Sequence, residues 1–145
     1  MYVDNALLFS DVQVITAAAA STNYMDAQAV RDLGTGQDLY LVVTVDTAFT
    51  DSGSDSTLSV SIYGDSATTF TPDASDIVIT VPAVSAAGTV CVAKLNPGLA
   101  SLQYRYIELY YTPNGSDLTA GAVTAFITTD VQKYKAYANN YTITG

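Results

Sequence analysis

The run Gln103-Tyr104-Arg105-Tyr106-Ile107-Glu108-Leu109-Tyr110-Tyr111-Thr112 decides how this chain reads. From Arg105 onward it alternates: Arg105, Ile107, Leu109 and Tyr111 share one face, and Tyr106, Glu108 and Tyr110 share the other, as a half-buried strand requires. A second run follows the Pro113-Asn114-Gly115 turn, with Val123, Ala125 and Ile127 opposing Thr124, Phe126 and Thr128. Two alternating runs on either side of a turn predict a late antiparallel hairpin on which earlier strands pair.

Working outward, Leu39, Leu41, Val43 and Val45 face away from Tyr40, Val42 and Thr44, a near-continuous apolar run that suits a central strand covered on both sides. Leu58, Val60 and Ile62 alternate with Ser59, Ser61 and Tyr63. Asp76 to Val81 is a short β-branched strand stopped by Pro82, and Gly88 to Leu95 supplies another. Near the start, Asp11 to Thr16 reads as the first core strand, and residues 1–10 as an edge strand or arm. Ser21-Thr22-Asn23 reads as a polar turn before a short strand from Tyr24, and Asp26 to Leu33 as one helical turn or an irregular loop. Seven or eight strands at roughly even spacing predict an all-β antiparallel sandwich or jelly roll, with little helix. No repeat or linker divides the chain, so residues 1–145 form a single domain.

Composition agrees. Thr, Val, Ser and Tyr dominate over helix formers, and 145 residues suffice for a core without staples. The net charge is −9, with only five bases: Arg31, Lys94, Arg105, Lys133 and Lys135. That count leaves no stripe able to neutralise phosphates, which excludes nucleic acid and anionic membranes as expected partners. The lone Cys91 lies in a strand-like run, and there is no histidine to activate it. The start of the sequence lacks a basic, apolar signal, so a cytoplasmic protein is expected. Asn114-Gly115-Ser116 and Asn140-Tyr141-Thr142 then read as turns, not glycan acceptors.

Histidine's absence also removes the usual triads and most zinc sites, and the Asp residues gather among turn formers. The expectation is a non-enzymatic protein without a cofactor. Asp51 and Asp55, two apart on either side of Gly53, are weak candidates for a calcium loop, because alternate carboxylates converge on a hard cation. They lack a closing Glu. Tyr104, Tyr106 and Tyr110 are expected to form an aromatic platform with Tyr40 and Tyr63 nearby, and Glu108 lies within it. Tyrosine offers large contact area with a polar tip, so protein contact is the first expectation for this face and sugar stacking the second. The tail at residues 131–145 carries Lys133, Tyr134, Lys135, Tyr137 and Tyr141 and reads as an arm reaching a neighbouring subunit.

Arg105 to Tyr111, followed by Leu118-Thr119-Ala120-Gly121-Ala122-Val123-Thr124-Ala125 and Asp130-Val131-Gln132, resembles the jelly-roll capsid cement proteins of tailed phages, of the Bordetella-phage type. Leu8 to Asp11, Ile15-Thr16, Ser21 to Asn23, Arg31 to Gly34, Leu39 to Val43 and Asp46 to Thr50 are similar in kind and order. Glu108 departs from the pattern, at a position expected to be basic or neutral, and so does the Asp- and Ser-rich loop from Thr50 to Ser56. The resemblance implies a virion protein on the outer surface of the capsid. It would bridge major capsid protein subunits non-covalently as a homodimer or homotrimer. A calcium-assisted carbohydrate-binding jelly roll of a host-recognition structure is the alternative.

Overall fold

A computed structural model describes residues 5–29, 36, 38–69, 73–82, 86–115 and 118–129. The chain is all-β, with strands β1 (Leu8–Val14), β2 (Ala19–Asp26), β3 (Leu39–Asp51), β4 (Thr57–Asp65), β5 (Ala74–Val81), β6 (Val90–Leu95), β7 (Tyr106–Asn114) and β8 (Leu118–Thr128). They form two four-stranded antiparallel sheets, in the orders β1-β8-β3-β6 and β2-β7-β4-β5. Within them β1 pairs with β8, β2 with β7, β3 with β6 and β4 with β5. The chain is thus one long hairpin doubled at the β4–β5 turn. Rolling it brings β3 against β8 and β4 against β7, which gives the eight-stranded jelly roll.

Each strand turns its alternate apolar residues into the space between the sheets. Leu41, Val43 and Val45 of β3 meet Val60 and Ile62 of β4 and Ile107 and Leu109 of β7 in one buried cluster. β3 lies inside its sheet, between β8 and β6, as its apolar run predicts; β8, β7 and β4 are the other interior strands. Val42 and Phe126, paired on the outward side of β3 and β8, are buried as well, so the expectation that β3 is covered on both faces holds.

The late hairpin is overturned. β7 and β8 lie in different sheets, so the Pro113-Asn114-Gly115 segment crosses the sandwich instead of closing a hairpin. Alternation reports which residues face inward, and it is blind to which strand lies alongside. β4–β5 is the one sequential pair that shares a sheet.

β1 also differs from its reading. It runs from Leu8 to Val14, at a sheet edge, and its register against β8 shifts twice. Val12 takes a left-handed conformation with φ of 47°. The bulge turns Val12 and Val14 outward, 54% and 68% exposed, and leaves Phe9 and Ile15 in the core. Ser21-Thr22-Asn23 is likewise no turn but part of β2, where the register slips between Ala20 and Tyr24. The Ser21 hydroxyl accepts the Leu109 amide at 3.0 Å and donates to the Asn23 carbonyl at 2.7 Å. A side chain thereby replaces a ladder acceptor, and local turn chemistry is absorbed as a bulge. Of the segment from Asp26 to Leu33, residues 30–33 lie outside the described residues. Gly121, at φ of 153°, is needed because any Cβ there would run into the Phe49 ring.

One polar chain crosses the apolar interior. Tyr111 of β7, fully buried, bonds Ser10 of β1 at 2.6 Å between hydroxyl oxygens. Ser10 donates its own proton to Gln13 Oε1 at 2.7 Å, which leaves Tyr111 as the donor to Ser10. Gln13 Oε1 also accepts the Thr22 amide at 2.9 Å, and Gln13 Nε2 donates to the Ala20 carbonyl at 2.7 Å, so β1 and β2 are stitched across the sheet boundary. Burial pushes the Tyr111 hydroxyl's pKa far up. Ser10→Ala orphans this buried phenol and is expected to cost ~1–3 kcal/mol, whereas Tyr111→Phe keeps the Ser10–Gln13 bond and costs about 1 kcal/mol. Chemical denaturation of the two variants checks the order; a larger loss for Tyr111→Phe contradicts this direction of donation.

Candidate functional site

The outward face of the β2-β7-β4-β5 sheet is a lattice fixed by strand register. Tyr24, Glu108, Tyr63 and Ser75 form one row across β2, β7, β4 and β5. Ala20, Tyr110, Ser61 and Ile77 form the next, and Asp26, Tyr106 and Asp65 lie on the other side. Glu108 is therefore flanked across the strands by Tyr24 and Tyr63, and along its own strand by Tyr106 and Tyr110. Four tyrosines make a collar around one carboxylate.

The rings organise as two pairs. Tyr63 and Tyr110 stack with centroids 4.8 Å apart and planes 8° from parallel. Tyr24 and Tyr106 meet edge to face at 5.9 Å and 76°. Arg105 lies over Tyr106 with its guanidinium carbon 4.8 Å from the ring centroid, and it grips Asp26 in a fork of 2.8 Å and 3.0 Å. That fork holds the Asp26 carboxyl below its ordinary range.

Glu108 is only 8% exposed, and among the described residues no hydrogen bond or ion pair reaches its carboxylate. Burial raises its pKa, and the negative charge of Asp65 adds to the rise. Asp65, 3% exposed, uses Oδ1 to accept the Ala67 amide at 2.8 Å, while its Oδ2 is buried with no partner. Burial, then Tyr110 and Glu108, raise the pKa of Tyr63.

The expected platform is thus partly assembled. Tyr106, Tyr110 and Tyr63 are in it with Glu108. Tyr104 is not, because β7 begins at Tyr106 and Tyr104 ends the 3-10 turn Ala100–Gln103, where its ring would block any Cβ on Gly64. Tyr40 belongs to the opposite sheet, between Lys94 and Thr128. Tyr24, Asp65 and the exposed Ile77 were missing from the sequence reading, since only long-range register brings them to this face. Lys133, Tyr134, Lys135, Tyr137 and Tyr141 lie outside the described residues.

Asp51 turns its oxygens back on its own loop, accepting the amides of Gly53 at 3.2 Å, Asp55 at 3.0 Å and Ser56 at 2.8 Å. These bonds, those from Ser56 first, drive its pKa far down and account for the Asp-Ser composition of the loop. Among the described residues no cluster of three or more acidic, cysteine or histidine side chains is placed to hold a metal. Cys91 is half-buried against the core, and burial raises its pKa.

A family model described as Bbp16 matches residues 9–127. The chain belongs to the Bbp16 family. Its name points to a phage protein. The Bbp16 match runs from β1 into β8, so it takes in the whole roll and every residue of the collar. No curated protein matches the chain.

Because its folded pKa is raised, Glu108 makes the native state hold its proton more tightly than the unfolded chain does. Stability from this group is present below the ordinary glutamate value of 4.5 and declines as pH rises through the folded pKa. Glu108→Gln is expected to raise the melting temperature at neutral pH and to lose that advantage below the ordinary value. Thermal melts across that range check it; a destabilised variant at neutral pH contradicts the account.

Proposed function

We propose that this Bbp16-family protein is a structural component of a phage virion, held on the outer surface of the capsid. There it decorates and stabilises the shell by bridging major capsid protein subunits non-covalently. It works as a homodimer or homotrimer, without a cofactor and without catalysis, and is assembled in the host cytoplasm. The carrying observation is the tyrosine collar, displayed on the outside of a stiff roll and not spent on the core. Tyrosine-rich patches suit protein contact because each ring brings apolar area and a hydroxyl at small entropic cost.

Electrostatics support the choice of partner. The net charge of −9 disfavours nucleic acid and anionic lipid, and the two bases among the described residues, Lys94 and Arg105, are already ion-paired to Asp38 and Asp26. The calcium-assisted carbohydrate reading has less support, since the Asp51 oxygens are committed to loop amides.

The mechanism is mass action. A protein that binds the assembled shell and not its dissociated subunits shifts the equilibrium toward the shell, with no bond made or broken. Purified protein added to undecorated, expanded phage heads should bind and raise their melting temperature; absence of binding contradicts the proposal. Replacing Tyr106 and Tyr110 together by Ser should weaken head binding at least roughly tenfold, about 1.4 kcal/mol or more, and leave the β-sheet circular dichroism intact.

A further inference from the structure

We propose that the tyrosine collar around Glu108, with Asp65 beside it, is a socket for one basic side chain, lysine or arginine, presented by a partner protein. This deepens the shell-binding reading by naming the chemistry of the contact, and it rests on that reading only for what the partner is.

A buried carboxylate oxygen is normally met by a donor or a cation. Here Asp65 Oδ2 is buried with no partner, and Glu108, 8% exposed, has no hydrogen bond or ion pair among the described residues but is not sealed from solvent. Both lie on the same outward face, one row apart, near enough for the charge of Asp65 to act on Glu108. The surroundings are aromatic, and aromatic rings attract a cation over their faces. Two carboxylates fall well short of the six to eight oxygens that calcium takes, whereas one ammonium or guanidinium is satisfied by one or two.

The molecule already performs this recognition once. On the β2 side of Tyr106, Asp26 and the ring hold the Arg105 guanidinium, fork and stack together. On the β4 side of the same tyrosine, Asp65 occupies the matching register position, and Glu108 stands two residues along β7. The same residue types recur there without a cation. Of the bases among the described residues, Arg105 is engaged with Asp26, and Lys94 is 2.9 Å from Asp38 beside the opposite sheet. Neither of these two bases meets Glu108 or Asp65, which leaves the socket open to a basic side chain presented by a partner.

The test is an NMR titration of the full chain with Nα-acetyl-arginine amide, following the Glu108 carboxyl carbon and the rings of Tyr24, Tyr63, Tyr106 and Tyr110. Saturable shifts confined to these groups are expected. They should be absent with the neutral, shape-matched Nα-acetyl-citrulline amide, at least tenfold weaker in Glu108→Gln, and preserved in Asp38→Asn, which removes an equal charge elsewhere. No saturable shift, or equal binding by Glu108→Gln or by the citrulline probe, overturns the socket. Because the probe is a free amino-acid derivative, failure to decorate heads and failure to bind the probe are read separately.

Discussion

The hydrogen-bonded hydroxyls of Tyr111 and Ser10 set the terms for the rest of the roll. They join β7 of one sheet to β1 of the other across a largely apolar interior. A buried phenol without an acceptor would oppose folding, so β1 must arrive with Ser10 facing inward. Meeting that demand needs the bulge at Val12, which in turn aims Gln13 at the backbone of β2. One edge of the sandwich is thus closed by polar contacts that follow from a single buried hydroxyl.

How much of this was legible depends on the range of the signal. The inward faces of β3, β4 and β7 follow from period-two alternation in Leu39 to Val45, Leu58 to Ile62 and Ile107 to Tyr111, because each residue's burial is encoded at its own position. Partnering was not legible. The Pro113-Asn114-Gly115 segment has the chemistry of a hairpin turn, yet β7 and β8 belong to opposite sheets, since a sheet crossing and a hairpin use the same turn formers. Bulges failed in the same way: Ser21 reads as a turn residue and is one in its local bonding, but β7 alongside keeps it in a strand.

The candidate site shows the same division. Tyr106, Glu108 and Tyr110 were visible as a stripe because they share one strand. Tyr24, Tyr63 and Asp65 join them through pairings 41 to 84 residues apart in sequence, from Asp65 with Tyr106 to Tyr24 with Glu108. No local pattern carries that information. Glu108 departs from the related phage pattern where the resemblance leads one to expect a basic or neutral residue, and it is also the group at the centre of the collar. Burying an acid among rings opposes folding, and such an arrangement is more often retained for recognition than for stability.

The doubled-hairpin topology also bears on how the chain is made. Among the described residues, β1 and β2 find their sheet neighbours in β8 and β7, the strands furthest from them along the chain. While the ribosome is still translating, β4 and β5 can pair, but the amino-terminal strands have nothing to zip onto. Neither sheet can be completed until β7 and β8 have emerged, so the roll closes from its hairpin tip back toward β1 and β8.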